Sequence, residues 1–323
     1  MRIPPATVFR FFGIAVLAAC SHDPAEPAIE AGRGLALNAF KNSEWSAPVH
    51  LDAPVNSSAR ELGAELSPDR LSLYFGSDRV GGAGDIDIWA VRRDCLDCAW
   101  GAAVNIANIN SPKSDGGPAF SPDGHLLFFA SGRDLGHGGD DIWLSYRENT
   151  DDDLGWEAPI NLGTGVNTRD HETSPAYVPA LNADGSNLYF VRGATLAAFD
   201  IYEARVNRDG EVLTPGTAVT ELNHPTAVDG DPAIRHDGKE VFFWSQRPGG
   251  FGLADIWVAT RKSANDPWSA PENLGAVINT AGGDVTPGLS HDGRTLFWST
   301  GFAARGGLGL TDIWMSTRTP SGQ

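Results

Sequence analysis

Short apolar and aromatic runs, such as Leu127-Phe128-Phe129 and Val241-Phe242-Phe243, alternate along this chain with stretches of Gly, Pro, Asp and Ser. Runs this short, bounded by turn residues, read as β-strands rather than helices. The punctuation itself repeats. Ser67-Pro68-Asp69, Ser121-Pro122-Asp123-Gly124, Ala183-Asp184-Gly185, His236-Asp237-Gly238 and His291-Asp292-Gly293 each lead into an apolar-aromatic run. Asp-Ile-Trp or a close variant follows at Asp87, Asp141, Asp200, Asp255 and Asp312, at spacings of 54, 59, 55 and 57 residues. A Trp-x-x-Pro-x-x-Leu element or a relative begins at Trp45, Trp100, Trp156 and Trp268, with a degenerate copy near Val212-Leu213-Thr214-Pro215.

Each repeat holds four β-prone runs: a around Pro118-Ala119-Phe120, b from Leu126 to Ser131, c from Asp141 to Arg147 and d from Trp156 to Leu162. Four short strands, five times over, predict an all-β fold: a five-bladed β-propeller of four-stranded antiparallel blades over residues 45–318. The Asp-Gly pairs set tight a–b turns, because glycine accepts the positive φ such hairpins need. The first repeat element is a d strand, Trp45 to Leu51, and the last is a c strand, Asp312 to Arg318. The N-terminal run is therefore expected to complete the last blade as its outer strand, leaving no open edge. This repeat, with its acid-x-x-Pro-x-Phe-Ser-Pro-Asp-Gly stretch, aromatic strand and Asp-Ile-Trp, resembles that of TolB-like, WD-repeat-like β-propellers. The resemblance implies the fold from Trp45 to Arg318 and leaves function open, since such propellers serve as scaffolds, binders and enzyme domains. Blade three departs most: Tyr202 replaces the Trp, and Val178-Pro179-Ala180-Leu181 looks inserted before Asn182.

Arg2 and Arg10 precede the apolar run Phe11 to Ala19, which ends at Cys20. A basic start, a short apolar stretch and small residues before a cut describe a secretory signal over residues 1–19. Leu17-Ala18-Ala19-Cys20 resembles the bacterial lipobox, which implies cleavage before Cys20 and its lipidation. With Ser21 next, the expectation is an outer-membrane lipoprotein of the cell envelope, facing periplasm or cell surface and held by lipid alone. Residues 20–44, rich in Ala, Pro, Glu and Gly, read as a tether, and 319–323 as a tail. The 323 residues carry 41 acids against 24 bases, a net charge of −17. That balance repels phosphate backbones, so no nucleic-acid partner is expected. A monomer is expected.

Candidate chemistry gathers where strand a meets the d–a connection. Acids recur there at Glu61, Asp115, Glu172, Asp229 and Asp284, preceded by Asn56, Asn110, Asn167, Asn223 and Asn279. Strand a lines the axis, so five carboxylates should ring the channel mouth, with Arg79, Arg133 and Arg247 opening b–c loops on the same face. The ring reads either as a cation or sugar site or as a repeated clamp satisfying loop donors; recurrence in every blade favours the clamp. No cofactor is expected beyond such a cation. Residues that break the symmetry are better candidates for a binding site. His137, His171 and His224 fall on this face, and Asp170-His171-Glu172 and His224 with Asp229 bring imidazole and carboxylate together. Trp244 stands where other blades carry Gly76, Ala130, Val191 and Ser299, and suits either a sugar platform or an inter-blade filler. His125, His236 and His291 belong to a–b turns at the opposite face. Cys95 and Cys98 lie in the c–d turn of blade one and are expected to form a local disulfide.

The resulting expectation is a membrane-anchored, non-catalytic propeller that binds a glycan, peptide or protein on an acidic channel face. The alternative is a secreted carbohydrate-active hydrolase or lyase with its active site in the propeller, with carboxylates around the central cavity.

Overall fold

The computed structural model describes residues 44–179 and 185–319. The signal, the lipidation site Cys20, nearly all of the tether, most of the tail and the inserted Ala180-Leu181 lie outside the described residues.

Five four-stranded antiparallel sheets form the blades of a propeller. β1 (Val49–His50) comes first. Blade one then holds β2 (Glu61–Leu66), β3 (Ser72–Ser77), β4 (Asp87–Arg92) and β5 (Val104–Asn105). Blade two holds β6 (Asp115–Phe120), β7 (Leu126–Ser131), β8 (Asp141–Tyr146) and β9 (Ile160–Asn161). Blade three holds β10 (His171–Val178), β11 (Ser186–Gly193), β12 (Asp200–Val206) and β13 (Val212–Ala218). Blade four holds β14 (Asp229–Ile234), β15 (Glu240–Ser245), β16 (Asp255–Thr260) and β17 (Glu272–Asn273). Blade five holds β18 (Asp284–Leu289), β19 (Thr295–Gly301) and β20 (Thr311–Thr317), and β1 completes it.

The closure expected from the order of the ends is present, in a shorter ladder than Trp45 to Leu51. Val49 faces Met315 and His50 faces Trp314, flanked by bonds from Ser46 N–H to the Thr317 carbonyl and from Leu51 N–H to the Ile313 carbonyl. Trp45 then stacks on Arg318, 4.6 Å from its guanidinium. The same stack joins Trp156 to Arg147 and Trp268 to Arg261, so blade five is sealed by the device used elsewhere. Cation–π contacts of this kind contribute about 0.5–2 kcal/mol each.

The repeated asparagines explain why every blade builds alike. Each brackets the isoleucine of Asp-Ile-Trp: the side-chain oxygen accepts its N–H and the amide donates to its carbonyl, as in Asn110 with Ile88 and Asn167 with Ile142. Asn56 does this for Ile313, at 2.8 Å in both directions, tying the chain's first linker to its last strand. The tryptophans of Asp-Ile-Trp fill the gaps between blades. Trp143 packs with Tyr74 and Ile88 of blade one, and Trp257 with Tyr189 and Ile201 of blade three.

Candidate active site in the axial cavity

The five repeated acids sit on the innermost strands as expected, and all are wholly buried. Their carboxylates are used by the loops around them. Asp115 accepts from Ser111 N–H at 2.6 Å, Ser111 Oγ at 2.8 Å and Arg133 Nη2 at 2.6 Å. Glu61 is held by Ser57 and Arg79, Glu172 by Thr168 and Arg192, and Asp229 by His224 N–H and Arg247. Arg192 thus fills the arginine role from strand β11 where the loop position lacks one. Blade five differs. Asp284 is met by Thr280 and the Thr300 hydroxyl, while Arg305 donates to the Ile278 carbonyl at 2.6 Å. The acidic channel mouth is therefore corrected to a ring of buried clamps: backbone donors, hydroxyls and guanidinium groups occupy the oxygens that a ligand or cation would need. The b–c and d–a loops around that mouth carry seven bases and seven acids, so the chain's negative charge lies elsewhere.

Two residues further along strand a, the chain does something else. Gly63, Gly117, Ser174, Asp231 and Thr286 occupy the same position in the five blades, each with φ between 49° and 60°. A β-bulge in each innermost strand produces this left-handed turn, and the five residues close in around the axis. A Cβ on Gly117 would lie 3.2 Å from Ser174 Cα. Glycine adopts this conformation freely, whereas Ser, Asp and the β-branched Thr are strained in it by about 1–3 kcal/mol each. Strain held at three of five equivalent positions is a mark of a functional site.

Around this ring lies a cavity of about 590 Å³, within the range of small-molecule sites, about 300–1,000 Å³. Four acidic residues line it: Asp115 is the blade-two clamp acid and Asp140 is paired with His171, while Glu65 and Asp231 are off-pattern. Glu65 stands where the other blades carry Ala119, Ala176, Ala233 and Gly288; Asp231 stands where they carry Gly63, Gly117, Ser174 and Thr286. Burial pushes Glu65 up to about 8, so it keeps its proton at neutral pH. Burial also raises Asp231, opposed by donors that favour its carboxylate. Trp244 Nε1 donates to Asp231 Oδ2 at 2.7 Å, and the Ser174 hydroxyl donates to Oδ1. Trp244 therefore lines the cavity and positions an acid. It also packs on Val191, Phe199 and Val228 at the side of the channel.

The histidines divide differently from the sequence expectation. His236 and His291 line the cavity, with ring centroids 5.5 Å apart. Burial lowers both, His291 to about 4, so they face the channel as neutral imidazoles. His125 alone of that set is used by local backbone, its Nδ1 2.8 Å from the Arg147 carbonyl. On the other face His171 Nδ1 lies 2.9 Å from Asp140 Oδ2, a partner in blade two. His224 contacts Thr226, and His137 is exposed. Asp170 gives its carbonyl to Gly139 N–H. No hydrogen bond or ion pair joins His137, His171 and His224 among the described residues, and no cluster of three or more His, Cys, Asp or Glu side chains there has metal-site geometry. Cys95 and Cys98 form the disulfide, remote from the cavity.

Glu65 and Asp231 lie four and two residues beyond the clamp position of their strands, outside the motif that repeats in every blade. Aligning the next four positions of strand a exposes both as single acids among small residues.

No family model matches the chain, and no curated protein matches it. Solved structures do. An α-L-arabinofuranosidase from Lactobacillus brevis is 14% identical with a TM-score of 0.59, over 84% of this chain and 95% of that one. The GH43_1 enzyme from Xanthomonas citri, solved with xylotriose, is 15% identical with a TM-score of 0.54, over 84% and 90%. TolB of Agrobacterium tumefaciens, described as putative, is 17% identical with a TM-score of 0.47, over 75% and 70%. At these identities the likeness is one of fold. It corrects the expectation of a propeller read as non-catalytic from its repeat: solved glycoside hydrolases share this fold across most of the chain.

Proposed function

We propose that this protein is a glycoside hydrolase whose active site is the axial cavity. The observation that carries the reading is the pair of off-pattern acids, Glu65 and Asp231, in one cavity with different environments. Glycoside hydrolysis needs one carboxyl group that keeps its proton and one that gives it up. Glu65, raised to about 8 by burial, is the proton donor to the leaving oxygen. Asp231, held by the Trp244 indole and the Ser174 hydroxyl, is the carboxylate that acts on the opposite side of the sugar, on water or on the anomeric carbon. The substrate proposed is a pentose-containing glycan, by analogy with the arabinofuranosidase and the xylotriose complex. Secretion as a cell-envelope lipoprotein and kinship with TolB-like repeats belong to the same proposal.

The test is turnover of aryl arabinofuranosides, aryl xylosides and xylan oligosaccharides by the wild type, Glu65→Gln and Asp231→Asn. Loss of about 10²–10⁴-fold in kcat for each variant, with an intact fold, is expected for acid–base groups. Wild-type inactivity on the whole panel, or full activity of both variants, overturns the assignment.

A further inference from the structure

Among the described residues, the five most exposed large hydrophobic side chains are Val80, Leu135, Leu196, Leu253 and Leu310, at 101, 94, 75, 76 and 69%. Each comes from a different blade, and each sits on the b–c connection. A structural repeat explains a recurring buried residue. It does not explain an exposed apolar side chain on the same connection of every blade, at loop positions that differ between blades, because an apolar side chain in water gains nothing for the fold. Leu135 is even held in the left-handed region, at φ 72°, a conformation unfavourable for its side chain. The loops are also fixed in place. Leu253 N–H bonds to the Gly282 carbonyl at 2.8 Å and Leu310 N–H to the Ala59 carbonyl at 3.1 Å, laying each tip on the neighbouring d–a loop. Beside them Gly252 and Gly309 pass so close that a Cβ would fall 2.1 and 1.8 Å from those same oxygens.

We propose that this crown docks the propeller on a lipid bilayer, with its five aliphatic tips entering the edge of the hydrocarbon. The five b–c connections open on one face of the closed ring, and a bilayer is an apolar partner broad enough to meet all five together. The chemistry of the tips agrees. Protein-binding hot spots favour Trp, Tyr and Arg and are poor in Leu and Val, whereas Leu and Val transfer readily into hydrocarbon. The charge of the face agrees too: its loops balance seven bases against seven acids, while the whole chain carries −17. These loops approach a headgroup layer without a net repulsion. Docking is separate from spanning, since no described helix is long and apolar enough to cross a membrane. It concerns the rim and stands whether or not the cavity is catalytic.

The experiment uses the full chain carrying Cys20→Ser, with Ala83→Cys on a crown loop labelled by an environment-sensitive dye. The control is the same dye at Lys262→Cys, on a c–d turn at the opposite face. With phosphatidylcholine vesicles, the crown label should shift to the blue and the control should not. Leu135→Ser with Leu253→Ser in the labelled chain should weaken the vesicle concentration dependence of that shift at least tenfold. A crown label that stays unshifted, whether the protein sediments with vesicles or remains in solution, overturns the proposal. So does a dimer in vesicle-free buffer that the two serines dissociate, which would make a second copy the occupant.

Discussion

Trp244 donates its indole N–H to Asp231 at 2.7 Å, from a strand position where the other blades carry Gly76, Ala130, Val191 and Ser299. The indole lies over Gly230, where a Cβ would come within 2.7 Å of Trp244 Nε1. Two departures from the repeat, one aromatic and one acidic, are therefore one device, and the residue beside them must be glycine. Trp244→Phe keeps the ring and removes the donor. The Asp231 carboxylate then loses a partner, so its pKa should rise and the acid limb of the kcat/KM profile should move to higher pH. Stability should fall by only about 1 kcal/mol. An unmoved acid limb would show that the indole merely fills space.

Glu65 should make the fold less stable as pH rises. Its carboxyl titrates near 4.5 when unfolded and near 8 in the fold. Between those values the folded chain keeps a proton that the unfolded chain has released, so stability declines from about pH 4.5 to about 8 and then levels. Glu65→Gln should flatten that decline, giving a higher melting temperature than wild type at pH 8 and a similar one at pH 4.5. In wild type, kcat/KM should fall above about pH 8, as the proton donor ionises. Melting curves and rates across that window test both.

The clamp acids should behave as structure. Asp115→Ala leaves the Arg133 guanidinium without its carboxylate, and losing one partner of a buried ion pair costs about 3–5 kcal/mol. Asp284→Ala breaks bonds to Thr280 and Thr300, with no arginine hydrogen-bonded to it among the described residues, so the cost should be nearer 1–3 kcal/mol. Denaturant titration measures the difference. Turnover per folded molecule should be unchanged in both.

Removing the seal of blade five should expose an edge. Trp45→Ala loses the Arg318 stack and the edge contact with Phe242, at a cost of about 3 kcal/mol. Deleting residues 44–51 leaves the outer edge of β20 unpaired, although β19 still pairs its inner edge, and should promote association of strands. A deletion variant that stays monomeric with an unchanged melting temperature would mean that closure does not depend on β1.

The lipid expectation is tested apart from the fold. Cys20→Ser should move the protein from the membrane fraction to the soluble one, and mass analysis of the mature wild-type N-terminus should find an acylated Cys20.

Sequence alone determined the number of blades, their strand order and the strand that closes them. Those depend on local signals repeated five times: Asp-Gly turns, apolar runs of strand length, and a Trp-bearing element at each end of the repeat. The clamp was legible for the same reason, since the same asparagine and acid must satisfy the same loop donors in every blade. The cavity was not legible. Whether an acid on strand a turns into a loop or toward the axis is decided by the bulge that reverses the chain at Gly63 and its equivalents, and a bulge leaves no separate mark in the sequence. Nor does composition reveal that His236 and His291 face the channel as neutral rings, because their burial comes from blades that meet only in the closed ring. Periodicity fixed what the blades share; the pKa values of Glu65, Asp231 and His291 depend on what surrounds each group, and only the packed axis supplies those surroundings.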